Sequence, residues 1–226
     1  MKLTLSANAG LAIEIGGKRI WVDALHTRKQ PGFSCVDEAL QKNMLSHPAF
    51  QKPDVICYTH CHPDHYSRSL TEAACRIWPK AVLLMPAEDM QHFSLDDLQL
   101  SFFRLPHEGV QYADTLHYGI RIAFGDENIV LTGDCAVGCE ALNGTAPRCI
   151  VVDFPWITLP KGRRVLLDGI RPDKIVACHI PFAEDDINNY RTAAANAARQ
   201  MENVYLLQEP LQTIEIITTG RAGGMH

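Results

Sequence analysis

Thr59-His60-Cys61-His62-Pro63-Asp64-His65 decides the reading of this chain. Three histidines and a carboxylate occupy six consecutive positions, directly after the apolar run Asp54 to Thr59 that follows Pro53. In an extended segment residues i and i+2 point the same way, so His60 and His62 can grip one ion. Pro63 then breaks the extended path and starts a turn. Asp64 and His65 are aimed elsewhere and can hold a second ion. Without cations the cluster is costly. Crowded imidazoles resist charging, and a buried carboxylate needs compensation. A zinc knuckle built on Cys57, His60, Cys61 and His62 lacks the ligand spacing of such sites.

Outward from this segment, strand-like and helix-like runs alternate along all 226 residues. Strands are expected at 2–6, 11–15 and 19–23, with Gly16-Gly17 as a turn, then at 54–59 and 81–85. Further strands are expected at 98–105, 116–124, 128–132, 149–153, 174–178, 203–208 and 213–217. Helices are expected at 36–46, at 67–77 (stopped by Pro79), at 87–93 and, longest, at 182–201. The tail 220–226 reads as loose. No linker, repeat or nucleotide-binding glycine signature interrupts this pattern, so one α/β domain spanning 1–226 is expected.

Composition narrows the class. The chain is 46% hydrophobic and 21% charged, enough for a sizeable core and against disorder. A net charge of −5 gives no electrostatic footprint for nucleic acid. No apolar run reaches the ~18 residues of a membrane span, and Met1–Leu5 is too short for a signal h-region, so a cytoplasmic protein without a membrane partner is expected. In that compartment the eight cysteines should be reduced thiols.

The segment Thr59–His65 resembles the His-x-His-x-Asp-His signature of the metallo-β-lactamase fold superfamily. Four further segments are similar to its later motifs: Ile20-Trp21-Val22-Asp23, Leu105-Pro106-His107-Glu108-Gly109, Ile129-Val130-Leu131-Thr132-Gly133-Asp134 and Ile175-Val176-Ala177-Cys178-His179. The resemblance implies an αββα sandwich of two mixed β-sheets flanked by helices. It implies that His60, His62 and His107 hold a first metal, that Asp64, His65 and His179 hold a second, and that Asp134 bridges both. Asp23 would orient a ligand. His117 is the rival of His107, set aside because it alternates within the strand 116–124.

The chemistry that follows is hydrolysis of a small ester-type substrate (phosphodiester, lactone or thioester) by a metal-bridging hydroxide. Asp134 would position the metal pair, and Asp64 is a candidate proton donor to the leaving group. Nitrogen-rich ligation favours two zinc ions, with manganese or iron as alternatives. Phe33, Phe154, Trp156, Arg163 and Arg164 are expected around the mouth, which suggests an anionic small molecule. His26 reads as a solvated loop residue, and His47, His92 and His226 as surface. Cys61, Cys135 and Cys178 should point away from the metals into the core. A homo-oligomer stays open. Two other readings remain: a redox enzyme on the same scaffold, although His62 stands where di-iron members carry Glu, and a non-catalytic metal-binding protein.

Overall fold

The computed structural model describes residues 1–27 and 31–217; the tail expectation lies outside these residues. The first sheet has six strands in the order β13-β1-β2-β3-β4-β5. They are β1 (Lys2–Leu5), β2 (Leu11–Ile15), β3 (Lys18–Val22), β4 (Val55–Cys57), β5 (Val82–Leu84) and β13 (Thr213–Glu215). The second sheet has seven, in the order β12-β11-β10-β9-β8-β7-β6. They are β6 (His92–Leu95), β7 (Leu98–Arg104), β8 (Tyr118–Phe124), β9 (Glu127–Leu131), β10 (Cys149–Asp153), β11 (Lys174–Cys178) and β12 (Val204–Leu206). Each sheet begins as an antiparallel meander and ends parallel: β3-β4-β5 in the first, β9-β10-β11-β12 in the second.

Alternation explains the layering. Along β10, Cys149 and Val151 join the core between the sheets, whereas Ile150 and Val152 join a second core on the outer face. Both faces are buried, as parallel strands under helices require. The outer core is covered by α3 (Pro155–Thr158), α4 (Pro160–Arg164), a π-helical stretch Val165–Ile170 and α5 (Tyr190–Ala198). The first sheet is covered by α1 (Glu38–Met44) and α2 (Arg68–Ile77), under which Trp21 packs against Phe50 and Trp78. Asp37 caps α1 by accepting from the Leu40 N–H at 2.7 Å, a contact worth about 1 kcal/mol. The result is the αββα sandwich of two mixed sheets.

Three elements differ from expectation. Residues 87–93 form no helix; the chain turns there and enters β6, which pairs with β7 through a tight turn with Asp96 at φ +52°. The helix expected at 182–201 shrinks to α5. Asn189 at φ +58° breaks the path, and Asp186 accepts from the N–H groups of Tyr190 and Arg191. The segment that carries the expected mouth residues Phe154, Trp156, Arg163 and Arg164 forms α3 and α4, each with proline at its start, where the missing N–H costs nothing. Among the described residues no helix is long and apolar enough to cross a membrane. Cys57, Cys61, Cys75, Cys135, Cys139, Cys149 and Cys178 are free thiols.

Candidate metal centre

Every candidate ligand sits beyond the carboxyl end of a strand, on one edge of the sandwich. In open α/β sheets that edge is where ligands bind. β4 delivers the chain to Thr59, whose carbonyl accepts from the Tyr118 N–H of the opposite sheet at 2.9 Å. A turn closed by the N–H groups of His65 and Tyr66 on the His62 carbonyl then separates His60 and His62 from Asp64 and His65. Asp23, after β3, accepts from the Thr59 N–H at 2.7 Å and the Thr59 hydroxyl at 2.6 Å, which fixes the start of the loop. Asp23 (φ +52°), Gly133 (φ +51°) and His179 (φ +59°) all adopt left-handed backbone at their strand ends. Sharp exits from the strands turn the site residues inward.

Two groups form. One ligand atom from each of His60, His62, His107 and Asp134 lies within 4.8 Å of the others, and the same holds for Asp64, His65, Asp134 and His179. Asp134 divides between them. Its Oδ2 lies 3.8 Å from His60 Nε2 and 3.6 Å from His107 Nε2. Its Oδ1 lies 2.9 Å from His65 Nε2 and 3.6 Å from His179 Nε2. Asp64 Oδ2 lies 3.9 Å from His179 Nε2. Asp23, His60 and His65 make a third cluster, but there Asp23 is committed to Thr59 and to His65 Nδ1.

The donor set fits metal ions. His60 Nδ1 faces Thr59 Oγ1 at 3.0 Å, His65 Nδ1 faces Asp23 Oδ2 at 3.0 Å, and His107 Nδ1 faces the Glu108 carbonyl at 2.7 Å. The two oxygens that can only accept place a proton on Nδ1 of His65 and of His107, which turns each Nε2 lone pair inward. The Nε2 atoms of all three histidines are buried without a hydrogen-bond partner, and so is Asp134 Oδ1. Although His65 Nε2 and Asp134 Oδ1 are only 2.9 Å apart, they are misaligned for a hydrogen bond. Inward lone pairs held by outer oxygens are the arrangement of histidine metal ligands. His179 differs: its Nε2 is 3.0 Å from the Asn8 side-chain amide, which therefore shares that lone pair.

Electrostatics without cations shows the same need. Burial opposes charge on His60 and lowers its pKa, and neighbouring His65 adds to this. Burial also lowers His62 and His179. Burial works against charge on His65 as well, but Asp134 and Asp23 on either side hold its pKa well above the usual histidine range. Asp134 is buried too, yet the surrounding His65, His179 and His60 keep it well below the usual carboxylate range.

The structure brings together His60, His62, Asp64, His65, His107, Asp134 and His179, with Asp23 behind them. His117 lies close by, its ring 5.1 Å from that of His60, but outside both ligand groups. Its Nδ1 faces the Leu105 carbonyl at 3.1 Å, and burial depresses its pKa to about 4. Of the expected mouth residues, Phe33 is in place, its ring 4.7 Å from that of His179. Phe154 and Trp156 are buried in the outer core, where the Trp156 indole donates to the Cys135 carbonyl. Arg163 donates to Gln200, and neither Arg163 nor Arg164 hydrogen-bonds or pairs with the cluster. His26 is fully buried rather than solvated, facing the Ala7 carbonyl at 3.2 Å. Cys61 is exposed rather than buried in the core; Cys135 and Cys178 are buried as expected.

Three further neighbours adjoin the cluster. Asp153, at the end of β10, lines a small cavity with Asp23, Thr59, Gly133 and Cys178. Burial, then Asp134, holds its carboxyl well above the usual range. Its sequence signal is a carboxylate closing an apolar strand, as Asp134 follows β9. Tyr112 packs its ring 4.8 Å from those of both His62 and His107. Asn8 has no such signal; it reaches His179 from the turn between β1 and β2.

No family model matches the chain, and neither does any curated protein. Solved structures do. An isothiocyanate hydrolase from Delia radicum gut bacteria superposes with a TM-score of 0.66 at 15% identity, over 95% of this chain and 99% of that one. The metallo-β-lactamase fold protein YhfI from Bacillus subtilis gives 0.63 at 12%, over 94% and 98%. CmlA, a diiron β-hydroxylase from Streptomyces venezuelae, gives 0.56 at 13%, over 94% of this chain and 53% of that one. The chain has the metallo-β-lactamase fold; at these identities the likeness is one of fold alone.

Proposed function

We propose that this protein is a metal-dependent hydrolase that uses two divalent ions, zinc in the first instance, on an ester-type bond of a small molecule. The observation that carries the reading is the division of Asp134, one oxygen toward each of two ligand groups. His60, His62 and His107 would hold one ion, and Asp64, His65 and His179 the other. Two such ions, when bound, activate water near neutral pH and polarise the electrophile. Asp134 fixes the spacing between the two groups. Asp23 holds the proton on His65 Nδ1 and so keeps Nε2 a ligand. Asp64 is the candidate to hand a proton to the leaving group. Arg163 and Arg164 no longer support an anionic substrate, since neither contacts the cluster.

Metal content tests this directly. His60→Ala and Asp134→Ala should each lose bound metal by elemental analysis, and full stoichiometry in both variants would remove the proposal. A panel of phosphodiester, lactone and thioester substrates with added zinc or manganese then finds the bond. A redox enzyme is the second reading, favoured by the likeness to CmlA; bound iron with oxygen consumption would select it.

A further inference from the structure

Apolar side chains flank both ends of the ligand cluster. At the His62–His107 end, Tyr112 lies on both rings and is 37% exposed, and Val110 beside it is 94% exposed. Their turn is held firmly: the Glu108 N–H donates to the Asp134 carbonyl at 2.8 Å, and the Tyr112 N–H donates to the Gly109 carbonyl at 3.0 Å. At the His179 end, Phe33 stacks edge-on against the imidazole. Ile187, 67% exposed, lies near Gly32, the residue before Phe33: a Cβ built on Gly32 would lie 3.6 Å from Ile187 Cγ1.

Among the described residues, neither Asp64 nor Asp134 pairs with a lysine or arginine; their partners are the cluster's own histidines. Exposed apolar side chains rimming a polar centre mark a surface that a ligand covers. On these walls an aromatic or branched alkyl group would find a flat ring and an aliphatic neighbour.

Resting on the hydrolase reading, we propose that the substrate carries an aryl-sized apolar group beside the scissile bond, and that Tyr112 selects for it by contact with its ring. Acetohydroxamate and phenylacetohydroxamate share a metal-chelating head and differ by the aryl group, which makes them suitable probes. Their affinities for the zinc-loaded protein are measured by calorimetry, with bound zinc quantified in every sample. Phenylacetohydroxamate should bind about tenfold more tightly. Tyr112→Ala should bring the ratio close to one, and Tyr112→Phe should preserve it. Equal affinities in the parent protein, or a ratio untouched by Tyr112→Ala at unchanged zinc content, would overturn the proposal. A protein that takes up neither zinc nor manganese overturns the hydrolase reading itself, and this proposal with it.

Discussion

Asp23 Oδ2 lies 3.0 Å from His65 Nδ1, and the same carboxylate takes both the N–H and the hydroxyl of Thr59. A single buried carboxylate thus sets the tautomer of one candidate ligand and anchors the loop that supplies four of them.

Asp23→Asn replaces an acceptor with a donor facing two donors. His65 should lose its Nδ1 proton partner, and metal affinity should fall about 10–100-fold. Metal titration against a competing chelator reads this. Unchanged affinity would leave Asp23 a mere turn residue.

His107 and His117 separate cleanly by substitution. His107→Ala should remove one equivalent of metal, since its Nε2 lies 3.6 Å from Asp134 Oδ2. His117→Ala should retain both equivalents and lower the unfolding midpoint instead, because its ring fills buried space. The reverse pattern in elemental analysis would exchange their roles.

Gly133→Ala meets two obstacles: a backbone φ of +51°, and contacts of 2.7 Å to His117 Nε2 and 2.9 Å to Thr59 Cβ. Gly125→Ala shares the φ, at +56°, but has nothing within 4 Å. Urea unfolding should show Gly133→Ala less stable than Gly125→Ala by about 1–3 kcal/mol, the usual cost of overpacking. Equal midpoints would mean that the space around Gly133 yields.

His26 gives a pH dependence whose sign is fixed. Burial depresses its pKa from 6.5 to about 4, so the folded state keeps it neutral. Its contribution is complete above pH 6.5 and is lost as pH falls toward 4, when the unfolded chain binds the proton first. The full effect is about 3 kcal/mol. Metal-free protein should therefore lose stability in urea between pH 7 and pH 4.5, and His26→Gln should lose less. Parallel losses would assign the effect to other groups.

The ligand quartet was legible because its spacing carries geometry: alternation for His60 and His62, then a proline-started turn for Asp64 and His65. Asp134 was legible because Thr132-Gly133 supplies the sharp exit that a strand-end carboxylate needs. The region 155–170 was not. Pro155 and Pro160 signal a break and a start alike, and only the outer core, filled by Trp156, Leu166 and Ile170, decides for helix. Residues 87–93 mislead because a short stretch of mixed polar and apolar residues, Ala87 to Phe93, suits a helix turn as well as the approach to an edge hairpin. Arg163 and Arg164 mislead because chain proximity to β10 does not give the direction of a side chain. Tyr112 and Asn8 act through neighbours distant in the chain, which no local pattern records.

The ligand groups draw on both layers of the sandwich. His60, His62, Asp64 and His65 follow β4 in the first sheet, whereas His107, Asp134 and His179 follow strands of the second. Ions seated there would rivet the seam between the layers at one end only. Stripped of them, the molecule should part from that end first, unzipping amide protection at the loops after β4, β9 and β11 while the helical flanks stay shut.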